Sequence, residues 1–265
     1  MPDSIKRRDF LSAAVVAGAA TSPLLANTLT PAAADREFYE WRTYTTANKD
    51  KQAIVNTYLE KALLPALDRM GIDRVGAFMP EEDADKSISV LIPHKTMETV
   101  GLFNDRLAAD AKYQDAAKPY FDAPKKDPAF VRIQNRLMRA FEGIPVIELP
   151  PQTAKKDPRV FEVRIYESHN EHMARLKVEM FNEGEIQIMR DVKLAPVFYG
   201  ETLVANDVPN LTYMLCGESK EAHQQHFKDF LKHPEWDRMK KLDRYKGTVS
   251  KITSIFFAPT EWSQI

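Results

Sequence analysis

The chain has one cysteine, nine glycines and almost no excess charge, and each scarcity excludes a class of function. A single thiol, Cys216, makes no internal disulfide, zinc-finger cluster or iron–sulfur site. The few glycines form no glycine-rich fingerprint, which argues against a phosphate-cradling loop. Lys plus Arg is 37 against 38 Asp plus Glu, a formal charge of −1. That balance argues against a nucleic-acid binder held by a basic surface and against an acidic disordered tail. Long apolar runs are missing too. Residues 11–20 are mild, rich in Ala and Gly, and too few to span a hydrocarbon core of ~30 Å. What is present is a globular balance, 44% apolar and 28% charged over 265 residues. That is room for one large domain or two ordinary ones.

The first 34 residues read as an address. Lys6-Arg7-Arg8-Asp9-Phe10-Leu11 opens a basic, then apolar, then small-residue stretch, and Ala32-Ala33-Ala34 supplies an A-x-A cleavage site. The paired arginines and the weakly apolar core are those of a twin-arginine export signal. The expectation is cleavage before Asp35 and an exported, periplasmic or extracytoplasmic, mature protein handled by the twin-arginine machinery.

The rest of the chain is two copies of one unit. Tyr39-Glu40-Trp41-Arg42-Thr43-Tyr44 recurs as Phe161-Glu162-Val163-Arg164-Ile165-Tyr166, at an offset of 122. With a small drift, Ile88-Ser89-Val90-Leu91-Ile92 matches Leu211-Thr212-Tyr213-Met214-Leu215, and a Phe103 segment matches a Phe227 segment. Each copy reads strand, helix, strand, strand, helix, strand. The first helix covers residues 50–70, with Pro65 kinking it or starting a new segment. Its counterpart covers residues 169–191, interrupted near Gly184. Gly200 is expected to break the apolar stretch 195–204, and the last strand to span 248–257. Residues 147–158, with three prolines, form a stiff linker between copies 35–146 and 159–265. The class is α+β. Two ferredoxin-like repeats with helices on one face pack sheet to sheet, as a dimeric α+β barrel built inside one chain.

Several short motifs together resemble the NIPSNAP family: Phe38-Tyr39-Glu40-Trp41-Arg42-Thr43-Tyr44, Leu64-Pro65-Ala66-Leu67, Phe161-Glu162-Val163-Arg164-Ile165-Tyr166-Glu167-Ser168, Pro196-Val197-Phe198-Tyr199-Gly200-Glu201-Thr202-Leu203, Pro209-Asn210-Leu211-Thr212-Tyr213-Met214-Leu215 and His233-Pro234-Glu235-Trp236. The resemblance runs through both copies and implies the same tandem barrel. It supplies no catalytic residue.

Strand alternation puts Glu40, Arg42 and Tyr44 on one face, with Tyr39, Trp41 and Thr43 on the other. Glu162, Arg164 and Tyr166 repeat the pattern. The expectation is that the apolar face goes under the helices and the Glu/Arg/Tyr face points into the barrel. There it forms either a paired structural network or a pocket for a small anionic or phenolic ligand, with Arg42 and Arg164 as clamps. Tyr199 and Glu201, on a strand expected to line the barrel, join the candidate set. His223 and His226, like His169 and His172, are three apart on helices and read as solvated surface. His94 reads as a helix-entry residue and His233 as a cap. No metal site and no cofactor are expected. The aromatic set Phe198, Tyr199, Tyr213, Phe227, Trp236, Phe256 and Phe257 reads mostly as core, a minority lining a pocket for a flat ligand. Cys216 reads as buried at a strand end.

These residues support a binder of a small molecule or protein first. The alternatives are a cofactor-independent oxygenase or isomerase of the dimeric α+β barrel type, or a haem binder. Nucleic acid is not an expected partner, and the mature chain has no membrane span.

Overall fold

A computed structural model describes residues 36–82 and 84–265. The leader expected at residues 1–34, and the mature start expected at Asp35, lie outside the described residues. Among the described residues, no helix is long and apolar enough to cross a membrane.

The first copy runs β1 (Phe38–Thr45), α1 (Lys49–Tyr58), a π-helical turn (Leu59–Leu63), α2 (Leu64–Arg69), β2 (Gly76–Pro80) and β3 (Ile88–His94). Four short helices follow, α3 (Met97–Gly101), α4 (Phe103–Ala109), α5 (Ala111–Ala116) and α6 (Lys118–Phe121), and then β4 (Arg132–Ala140). The second copy runs β5 (Val160–Glu167), α7 (Glu171–Met180), a π turn (Phe181–Glu185), α8 (Ile186–Asp191), β6 (Ala195–Val204), β7 (Asn210–Gly217), α9 (Lys220–Lys232), α10 (Pro234–Met239) and β8 (Lys251–Pro259). From β1 to α2 every element has its counterpart 122 residues later. The caps repeat as well. The Asn48 side chain accepts from the Lys51 N–H and the Asn170 side chain from the Met173 N–H, each meeting an orphan donor of the first turn.

The eight strands close in the order β1-β3-β2-β8-β5-β7-β6-β4, every neighbour antiparallel. Each copy contributes a four-stranded sheet, and the seams are β2 with β8 and β4 with β6. Closure leaves no free sheet edge. Gly200 does not break β6. It sits opposite Ala140, and a Cβ there would come within 2.7 Å of the Met138 Cβ, so glycine lets β4 close against β6. The last strand starts later than expected, because Thr248 is held in a loop by the Ser168 hydroxyl, which donates to its carbonyl at 2.6 Å.

The strand faces are reversed from the sequence expectation. Tyr39, Trp41, Phe78, Phe161, Phe198 and Phe257 fill the barrel interior. Trp41 stacks on Phe78 at 5.7 Å and meets Phe257 edge-on at 5.5 Å, so rings from both sheets share one core. Glu40, Arg42, Tyr44, Glu162, Arg164 and Tyr166 face outward, under the helices. The physical reason is partnership. The aromatic packing inside the barrel offers a charge no counter-group, whereas the layer under the helices supplies His94 and Phe103 to one repeat and His223 and Phe227 to the other.

Candidate functional site

The outward charged stripes are similar in both repeats. On β1, Arg42 donates to Glu40 Oε1 at 2.9 and 2.6 Å and lies 5.4 Å from the Phe103 ring centre. On β5, Arg164 donates to Glu162 Oε1 at 2.6 Å and lies 4.6 Å from the Phe227 ring centre. Each carboxylate also has a buried histidine beside it. His94 Nε2 is 3.6 Å from Glu40, and His223 Nε2 is 2.8 Å from Glu162. His223 is therefore not solvated helix surface, and His94 is the buried last residue of β3 rather than a helix entry, since Thr96 caps α3. His233 does cap: its Nδ1 accepts from the Glu235 N–H at 3.2 Å.

The helices above the stripes differ. Over β1, Tyr58 stacks on Tyr120 at 3.9 Å and bonds the Tyr113 hydroxyl at 2.9 Å, and this aromatic layer fills the space. What remains beside Glu40 and Arg42 is a hollow of about 260 Å³. Over β5 there is a cavity of about 520 Å³. It is lined by Arg164, Tyr166, Lys177 and Glu185 on one side and by Phe227, Phe230 and Trp236 on the other, with the exposed Lys240 and Lys246 at its mouth. Phe230 and Trp236 pack at 4.8 Å between centroids. Gly184, in the π turn, leaves room for Met239 of α10, since a Cβ would stand 2.9 Å from its sulfur.

Lys177 and Glu185 are the pair that the strand pattern did not suggest. Lys177 Nζ donates to Glu185 Oε2 at 2.5 Å, and their side chains are 4% and 2% exposed. Three rings surround the ammonium: Phe181 at 4.6 Å, Trp236 at 5.4 Å and Tyr166 at 5.6 Å. The positions 122 earlier hold Val55 and Leu63, both buried in the apolar cluster under the first repeat's helices. The same backbone thus carries an apolar pair in one repeat and an ion pair in the other. The repeat offset was the available signal, since it set charged residues against Val55 and Leu63.

Burial pushes the Glu185 carboxyl above the usual carboxylate range, against the pull of Lys177. Burial likewise raises the Tyr166 hydroxyl, with Arg164 opposing it. For Arg164, burial works against the charge but is outweighed by Tyr213, Tyr166 and Glu162, so the guanidinium is held more firmly charged than usual. Glu162 stays below its ordinary range. Burial would raise it, and the hydrogen bond with His223 and the charge of Arg164 overcome that. The Tyr213 hydroxyl donates to Tyr166 at 2.9 Å. Arg164 Nε is buried with no hydrogen-bond partner among the described residues.

Of the candidates read from sequence, Arg164 and Tyr166 line this cavity and Glu162 backs it. Tyr199 does not line the barrel; it is buried under α8, stacked on Tyr213 at 4.9 Å with its hydroxyl toward Met189. Glu201 does not line it either, and pairs with Arg139 at 2.8 Å on a half-exposed outer rim. Glu40, Arg42 and Tyr44 belong to the filled repeat. Phe227 and Trp236 are the aromatic minority that lines a pocket. His169 and His172 are exposed. Among the described residues, no group of three or more His, Cys, Asp and Glu could hold a metal ion.

A second cavity, about 480 Å³, lies beside the linker and is lined by Pro150, Pro151, Arg190, Cys216 and His226 among others. Its chemistry is weaker. Arg190 is already bidentate to Glu148 at 2.7 and 2.8 Å, and burial pushes the Cys216 thiol up to about 12, which keeps it from acting as a thiolate.

Residues 161–264 match the NIPSNAP family model, so the second repeat is a NIPSNAP domain. A search of curated protein sequences finds no match. Among solved structures, a proposed monooxygenase of Lactobacillus acidophilus is 11% identical, with a TM-score of 0.55, over 85% of this chain and 94% of its own. A second proposed monooxygenase, from Fusobacterium nucleatum, is 7% identical, with a TM-score of 0.52, over 85% and 93%. A NIPSNAP-like domain protein of Burkholderia xenovorans is 20% identical over 40% of this chain and 88% of its own, with a TM-score of 0.36. At these identities the first two likenesses establish the dimeric α+β barrel fold and leave the reaction open.

Proposed function

We propose that this chain, with a NIPSNAP domain as its second repeat, binds one small, flat, anionic ligand per chain in the cavity under α7, α9 and α10. The observation that carries this is the cavity itself. At about 520 Å³ it falls in the range of small-molecule sites, roughly 300–1,000 Å³. It combines an aromatic wall with the Arg164 guanidinium, which lines the cavity with its side chain 18% exposed. A carboxylate or phenolate placed there would gain a charge-assisted hydrogen bond, and a ring would pack against Phe227 and Trp236. The first repeat's tyrosine layer removes the corresponding space, hence one site rather than two.

A catalytic reading uses the same cavity. Glu185 is the group type with which a cofactor-independent oxygenase or isomerase would take a proton from its substrate, and the Tyr166 hydroxyl the type that would donate a hydrogen bond to it. The Lactobacillus and Fusobacterium proteins lend that reading their fold and no residue. We propose also that residues 1–34 direct twin-arginine export, on the strength of Arg7-Arg8 and the Ala32–Ala34 site, and that the barrel works outside the cytoplasm.

The ligand test is fluorescence titration with benzoate as the probe. Quenching in the wild type that is lost in Trp236→Phe and weakened at least tenfold in Arg164→Gln supports the site. Quenching unchanged in both variants overturns it.

A further inference from the structure

We infer that Lys177 is a carbonyl-reactive amine, which condenses reversibly with a flat aromatic aldehyde or ketone in the cavity to form an imine. The inference rests on the cavity being the ligand site, and adds a covalent step to it.

Four observations point to it. Lys177 is nine-tenths buried and yet lines a cavity large enough for a small ring. Its nitrogen is enclosed by Phe181, Trp236 and Tyr166, so an arriving aromatic carbonyl compound would find ring faces beside the amine. Its ammonium donates to the Glu185 carboxylate at 2.5 Å, within proton-transfer reach, and to the Met180 sulfur at 3.5 Å. And the fold does not require the pair, because Val55 and Leu63 stand in its place in the first repeat. A buried ion pair that apolar residues could replace contributes little or nothing to stability by itself, so its retention in a cavity lining calls for a role.

The step balances without any oxidant or reductant. The Lys177 ammonium gives a proton to Glu185, and the freed amine attacks the carbonyl carbon, forming the C–N bond. Burial lifts Glu185 above the usual carboxylate range, which suits it to hold that proton and return it. Returned to the carbinolamine oxygen, the proton allows water to leave and the C=N bond to form. One carbonyl compound and one ammonium give one protonated imine and one water. The product keeps its positive charge beside Glu185, so the ion pair survives the reaction. The neighbouring Arg164 would hold an acidic substituent on the ring.

The test incubates the full chain with 4-formylbenzoate and cyanoborohydride, which fixes any imine as a secondary amine. Peptide mapping by mass spectrometry then locates it. Exposed lysines such as Lys112, Lys125 and Lys228 serve as internal references. The expected result is labelling of Lys177 at least tenfold faster than these, and at least a tenfold slowing in Glu185→Gln. The double variant Lys177→Val/Glu185→Leu, which copies the first repeat, should keep the fold and lose the fast adduct. Labelling of Lys177 no faster than the references, or a Glu185→Gln rate equal to wild type, overturns the inference. Benzoate titration of the same samples separates the two claims. Binding without an adduct sinks the imine and leaves the ligand site; loss of both sinks the site and the imine with it.

Discussion

Lys177→Met removes one partner of a buried ion pair and leaves Glu185, 2% exposed, without its hydrogen-bond donor. Breaking such a pair from one side costs about 3–5 kcal/mol, most of it the penalty of an uncompensated buried charge. Replacing both partners at once differs in kind. Lys177→Val/Glu185→Leu installs the pair that the first repeat already uses at Val55 and Leu63. That change should recover most of the loss, and could leave the protein more stable than wild type by as much as roughly 1–4 kcal/mol, since two desolvated charges are gone. The pH dependence gives a sign to check. Glu185 is held above its ordinary range, so its stabilising contribution is complete below the unfolded carboxyl value and is lost as pH rises through the folded one. The advantage of the double variant should therefore be larger at pH 8 than at pH 4. Urea denaturation reads all of this, and with a slope of about 3 kcal/mol/M the single change should lower the midpoint by about 1–1.7 M. A single loss under 1 kcal/mol would mean that solvent already screens the pair. A double variant as unstable as the single would mean that the second repeat needs the pair to fold. Either result refutes the reasoning.

Glu162→Gln should flatten the acid limb of the stability profile. Glu162 is held below its ordinary range, so its contribution is present above the unfolded carboxyl value and lost as pH falls through the folded one; chemical denaturation between pH 2.5 and 6 checks it. Residues 35–150 expressed alone should dimerise or aggregate, because the aromatic face of one sheet, Tyr39, Trp41 and Phe78, would lie bare; a stable monomer by light scattering contradicts the face-to-face barrel. Arg7→Lys/Arg8→Lys should trap the precursor in the cytoplasm, and cell fractionation that still finds exported protein would point to the general secretory route.

Much of the fold was legible in the sequence, and the faces of its strands were not. The offset of 122, fixed by β1 and β5, also aligned the helices, the π turns and the capping asparagines, because those features depend on local spacing and cap chemistry. Period 2 sorted Glu40, Arg42 and Tyr44 from Tyr39 and Trp41 correctly, but alternation is silent on which face turns inward. The barrel interior and the helix layer are both apolar clusters, so polarity alone did not choose. The charged stripe went where helices could bring His223, Phe103 and Phe227 to it and the end of β3 could bring His94, and those contacts join residues far apart in the chain. Half of the cavity was visible as Arg164 and Tyr166 on one strand. The other half was not, since Lys177 of α7 and Glu185 of the π turn lie in a helical stretch whose hydrophobic spacing masks two buried charges.

The central claim is one ligand site per chain, in the second repeat. Titration calorimetry of the whole chain with benzoate tests it most directly, read for stoichiometry in the wild type, Arg164→Gln and Arg42→Gln. The account predicts one site, unaffected by Arg42→Gln and weakened at least tenfold by Arg164→Gln. Two equivalent sites, or an affinity that falls with Arg42→Gln and not with Arg164→Gln, would contradict it.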